Sequence, residues 1–157
     1  MENYLSVLEN SLDQKGQVLD EILTLDVEQE KLLKQERLDL EAFDELVDQK
    51  DVLADKLTRL DDGFETLYTR VRGLLQDNKE AYRPQIAALK KLISEITEKT
   101  VTIQAKEARN KEMLSRHLEE LQQGLGQNRR SSKAAYDYYK NMSSVGLVKS
   151  QFMDQKN

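Results

Sequence analysis

The sequence predicts an all-α protein: an elongated antiparallel bundle of three long helices with coiled-coil-like packing, followed by a flexible C-terminal tail. Three observations carry that expectation. Apolar residues recur at helical spacing over three successive stretches of similar length. Only 38% of the residues are apolar and 34% are charged, against roughly 45–50% and 25% in ordinary globular domains. Such a chain covers narrow apolar stripes along helices but fills no wide core. Finally, the character of the chain changes at Gly124-Leu125-Gly126. Residues 127–157 hold six Lys/Arg and two Asp/Glu, so with −5 overall the body 1–126 carries −9. One domain of residues 1–126 and a basic tail of 127–157 follow from that division.

The first helix is expected at about 3–35, on Leu5, Leu8, Leu12, Leu19, Ile22, Leu25, Leu32 and Leu33. Its stripe wanders near Asp26-Val27-Glu28-Gln29, and Lys15-Gly16 leaves a weak turn. A break near Lys34–Leu38 is expected although neither Gly nor Pro marks it. The second helix, about 39–76, carries Phe43, Leu46, Val47, Leu53, Leu57, Leu60, Phe64, Leu67, Val71 and Leu74. Asp39 is its N-cap, with Leu38 and Phe43 forming a hydrophobic staple across the first turn. Gly63 and Gly73 weaken it by about 1 kcal/mol each relative to Ala, and its last turns are expected to bend or fray.

The third helix, about 84–123, has the clearest period. Ile86, Ile93, Thr100, Glu107, Leu114 and Leu121 form one seven-residue series; Leu89, Ile96, Ile103, Asn110 and His117 form the other. Pro84 stands just inside its start, where a missing N–H costs nothing. The glycines at 124 and 126 end it. Matched lengths of about 50–60 Å and short links favour antiparallel neighbours. In the tail, Ser131-Ser132 caps a short helix expected at 133–141, which brings Tyr136 and Tyr139 together. Ser143 onward is read as flexible when free.

Composition excludes several functions. With no cysteine there is neither a disulfide framework nor a thiolate metal site. Met1-Glu2-Asn3-Tyr4 does not begin a secretory signal, and no apolar run approaches the roughly 18 residues of a membrane span. A cytoplasmic protein is expected, with no membrane insertion. Its net negative charge opposes a body that grips nucleic acid.

Candidate chemical groups have plainer readings. Asp61-Asp62 and Glu119-Glu120 fall where solvated helix faces should be, so they are read as surface charge rather than acid–base machinery. His117 has no second His or Cys to join it on a metal, and no Glu-x-x-His pair exists, so it is read as a core or boundary histidine. Thr100 is read as fixing helix register; Asn110 either does the same or marks where the stripe faces a partner. Arg129, Arg130 and Lys133 with three following tyrosines are too few cations for a nucleic-acid patch. They fit a protein-docking tail better, with Tyr as rigid anchor. No Gly-rich phosphate loop or nucleophile arrangement is present. The chain is expected to be no enzyme and to need no cofactor or metal.

Three stretches look familiar together: the Leu-rich first helix running into Leu38–Leu53, the third helix from Ile93 to Leu121 with Asn110 inside it, and the ending with Ala135-Tyr136 followed by Ser150-Gln151-Phe152-Met153-Asp154-Gln155-Lys156. They resemble FlgN-type flagellar export chaperones, several of which finish in a similar Tyr, then Phe-x-Asp-x-Lys, pattern. Gln49 stands where family members often have Glu. The resemblance implies a cytoplasmic chaperone that binds hook-associated (hook–filament junction) proteins and hands them to the export gate of the flagellar type III apparatus. It also implies that the C-terminal region engages the client, which by position points to Leu114, Leu118, Leu121, Leu125, Tyr136, Tyr139 and Phe152. The alternative is a self-associating structural coiled coil or general helix-binding adaptor, whose partner is a second copy of the chain or another helix.

Overall fold

The computed structural model describes residues 2–124, and the expected tail features, including a helix at 133–141, lie outside them. Three helices follow one another: α1 Glu2–Leu33, α2 Leu40–Asp77 and α3 Arg83–Gly124. Cross-helix bonds set their directions. Lys15 meets Asp61 while Lys50 meets Asp26, so α1 and α2 are antiparallel. Lys99 meets Asp20 and Lys106 meets Glu30, so α1 and α3 are parallel. The topology is up-down-up, with α1 packed against both other helices. No Cα of α2 comes within 8 Å of one in α3, so those two helices meet through side chains only.

Helix ends follow local chemistry. Asp39, at φ −82° and ψ 95°, caps α2, its carboxylate accepting from the Ala42 N–H at 3.1 Å. Leu38 and Phe43 pack in the same apolar cluster, as a hydrophobic staple requires. Asn78 closes α2: its N–H donates to Leu75 O, and its side-chain amide donates to Leu74 O at 2.9 Å. Asn78 O then accepts from Tyr82 N, and Tyr82 O from Ile86 N, leading the chain into α3. Two apolar clusters lie along the bundle. The larger holds Leu5, Leu8, Leu12, Ile22, Phe64, Val71, Ile93 and their neighbours. The smaller, at the other end, is built on Leu33, Phe43, Val47 and Leu114.

The expected weakening of α2 does not interrupt it, because the helix runs through both Gly63 and Gly73 to Asp77. A Cβ added at either glycine would meet nothing within 4 Å. Each glycine therefore costs only backbone entropy. Gly63→Ala and Gly73→Ala should each raise stability by about 0.5–1 kcal/mol, read as an upward shift of the urea midpoint at unchanged slope. A loss of stability in either variant would show that the glycine serves a close approach at that position.

Candidate functional site

All three helices keep an unbroken alternation of three- and four-residue steps once charged residues are counted as core. In α1 the series is Leu5, Leu8, Leu12, Lys15, Leu19, Ile22, Asp26, Gln29, Leu33, all of them buried. In α2, Phe43, Val47, Lys50, Ala54, Leu57, Asp61, Phe64, Tyr68, Val71 and Leu75 follow the same rule. This is heptad packing with polar residues at core positions. The wandering stripe near Asp26 is thus a polar layer within the core rather than a departure from it.

That layer lies between the two apolar clusters. Lys50, with no exposed surface, places its ammonium 2.7 Å from Asp26 Oδ1, 2.9 Å from Glu107 Oε1 and 3.3 Å from Gln29 Oε1. One lysine from α2 thus makes two ion pairs and one hydrogen bond to groups of α1 and α3. Asn110, equally buried, donates from Nδ2 to the main-chain oxygen of Asp26 at 3.0 Å. Of the two readings of Asn110, the structure shows an intramolecular contact between α1 and α3. Burial pushes the Asp26 carboxyl up to about 7; Lys50 opposes that rise and Glu107 adds to it. Two carboxylates around one cation leave an excess negative charge, and a proton held by Asp26 removes it.

A second buried pair joins Lys15 to Asp61 at 2.7 Å. Its polarity is reversed, the lysine now on α1 and the carboxylate on α2. Both helices space their two pairs by 11 residues, 15 to 26 and 50 to 61, so both pairs obey one register. A one-heptad slip of α2 on α1 would set Lys50 against Leu19 or Leu33, and Asp61 against Leu8 or Ile22. Each slip strands buried charges, at several kcal/mol per ion. Asp61 was expected on the surface beside Asp62. It is instead 4% exposed, because it occupies the core position between Leu57 and Phe64. Thr100 is not the register element expected either, since its hydroxyl donates to Ile96 O of its own helix at 2.8 Å.

The other candidate lies where α3 leaves the bundle. Leu114 has no exposed surface and sits with Leu33, Phe43 and Val47; Leu118 is half-buried on the same cluster; Leu121 is 37% exposed. The stripe therefore emerges from intramolecular cover over two helical turns. His117 marks the point of exit, donating from Nε2 to the oxygen of Leu33, the last residue of α1, at 2.7 Å. It satisfies a carbonyl that the helix end leaves open, which is the boundary role read from the sequence. Leu125, Tyr136, Tyr139 and Phe152 lie outside the described residues. Among the described residues no three His, Cys, Asp or Glu side chains gather as a metal site, and no helix is long and apolar enough to cross a membrane.

Three heptad-paired helices with charged core layers and an apolar stripe that outruns its cover define a coiled-coil-type helical bundle protein. The chain belongs to the FlgN family: the family model described as FlgN protein matches residues 1–144, which takes in all three helices. This is a family of flagellar export chaperones, not of enzymes. No curated protein and no solved structure matches the chain.

Two predictions follow from the polar layer. Lys50→Ala leaves the buried Asp26–Glu107 pair without its shared cation and should cost about 3–5 kcal/mol, measured by urea unfolding. The second concerns pH. The folded carboxyl of Asp26 titrates above its ordinary value of 3.8. Between about pH 4 and 7 the folded state therefore binds the extra proton, and this group's contribution to stability falls as pH rises through that window. Asp26→Asn removes the titration, so the stability of the variant relative to the parent should climb from pH 4 to pH 7 and level off above. A difference constant with pH would show that Asp26 is ionised throughout.

Proposed function

We propose that this chain is a cytoplasmic export chaperone that captures the helical terminus of hook-associated proteins and delivers them to the flagellar type III export apparatus. The observation that supports this reading best is the emergence of the α3 stripe, from Leu114 fully buried to Leu121 exposed at 37%, directly before the basic, tyrosine-bearing segment. A client helix laid along Leu118, Leu121 and Leu125 would continue the heptad packing that α1 and α2 provide up to Leu114. Leu114 then serves as the fixed floor beneath the contact. Tyr136, Tyr139 and Phe152 supply large, amphipathic anchors at low entropic cost.

The test uses the full chain and purified hook-associated proteins in titration calorimetry. Leu121→Asp and the double change Tyr136→Ala/Tyr139→Ala should each weaken capture at least tenfold while leaving the thermal midpoint within a few degrees of the parent. Leu114→Ala should instead destabilise the bundle by about 2–5 kcal/mol, as a cavity in the core does. Undiminished capture by both surface variants would remove this end of the molecule from the client site. A dimer in sedimentation that Leu121→Asp splits would assign the stripe to a second copy instead.

A further inference from the structure

At the opposite end of α3 the chain builds a second surface that the client reading does not use. Because the backbones of α2 and α3 stay apart, a cleft of about 550 Å³ opens between the last turns of α2 and the first turns of α3. Its floor is apolar: Leu75 and Leu89 are buried, while Tyr68 and Ile86 are half-buried and pack on the larger core cluster. Its rim carries Arg72, Lys79, Arg83 and Lys90, all exposed, against one carboxylate, Glu80. Glu80 reaches Arg83 at 3.8 Å, and among the described residues Arg72, Lys79 and Lys90 make no ion pair.

The charge is local. Residues 70–91 hold six Lys/Arg and two Asp/Glu within a body that carries −9. Basic side chains standing over an apolar floor complement a ligand that is apolar on one side and acidic on the other. We infer that the α2–α3 cleft is a docking groove for an acidic amphipathic helix of a partner protein, which seats its apolar side chains between Tyr68 and Ile86 and its carboxylates on Arg72, Lys79 and Lys90. The chain's own segment 127–157 is basic and repelled by the same rim. Nucleic acid is opposed by the negative charge of the body that surrounds the rim. From Ile86 to Leu118 the rise of α3 is about 48 Å, so this groove and the proposed client site are occupied independently, and either proposal can fail alone.

The test uses the full chain and a fluorescein-labelled 18-residue helical peptide with Leu along one face and Glu elsewhere. A second peptide has Lys at every Glu position. Fluorescence anisotropy at low salt should show the acidic peptide binding at least tenfold more tightly than the basic one. The double reversal Arg72→Glu/Lys90→Glu, both on exposed helix positions, should weaken the acidic peptide at least tenfold without altering helicity or capture of hook-associated proteins. Since the chain has no cysteine, a fluorophore on Ala87→Cys, inside the cleft, should report binding, whereas one on Val101→Cys should not. The inference fails if no acidic peptide binds at 100 µM, if both peptides bind alike, or if the reversal leaves the isotherm unchanged. It also fails if sedimentation shows a dimer that the reversal dissociates, since a second copy would then be the occupant.

Discussion

A single ammonium group holds the geometry of this bundle together. α2 and α3 never approach backbone to backbone, yet Lys50 of α2 reaches Asp26 and Gln29 of α1 and Glu107 of α3 at once. Buried ion pairs seldom add net stability, because desolvation offsets most of the Coulomb gain. Their force is in what they forbid. In a thin bundle with nearly uniform leucine stripes, many registers would bury similar apolar area. Lys50–Asp26 and the reversed pair Lys15–Asp61 leave one alignment of α1 on α2 in which no charge is stranded. The positions of every other contact follow from that alignment.

Among them are the two ends at which the bundle runs out of partners. With α1 held in place, its last carbonyl meets His117, and whatever lies beyond on α3 has no neighbour from α1. The stripe passes from half-buried at Leu118 to exposed at Leu121 for that reason, not because its residues differ from those before. At the other end, α1 packs against both helices, and among the described residues no side chain closes the cleft between the end of α2 and the start of α3. An acidic body with one basic, apolar-floored cleft and one emergent apolar stripe has two surfaces of different chemistry. Membership of the FlgN family makes the chain one of a family of flagellar export chaperones.

Much of this was legible in the residues. The three helices and the Asp39 cap with its Leu38–Phe43 staple are local or periodic properties, and the structure contains them. The polar layer is not legible in the same way. Asp26 and Gln29 looked like a fault in the first stripe, Lys15 like part of a weak turn and Asp61 like surface charge. The signal was present in the three–four spacing, but it appears only if a lysine or an aspartate is admitted to the core series. Sequence alone gives no reason to admit it, since an isolated buried charge costs too much. Only the opposite charge, 46 residues away for Lys15 and on another helix for Lys50, makes the position tolerable.

By itself, then, the amino-acid order determined that three long helices form, where they stop, which face of each is apolar and that the body is acidic. Those are consequences of short-range propensity, capping and period. The tertiary structure alone decided which charges are buried, how α2 is aligned on α1, that Thr100 bonds within its own helix while Asn110 bridges two, and that α2 and α3 stand far enough apart to leave a cleft. These depend on pairing between residues distant in the chain. In a low-dielectric interior such a pairing turns a forbidden charge into the element that selects one packing over its neighbours.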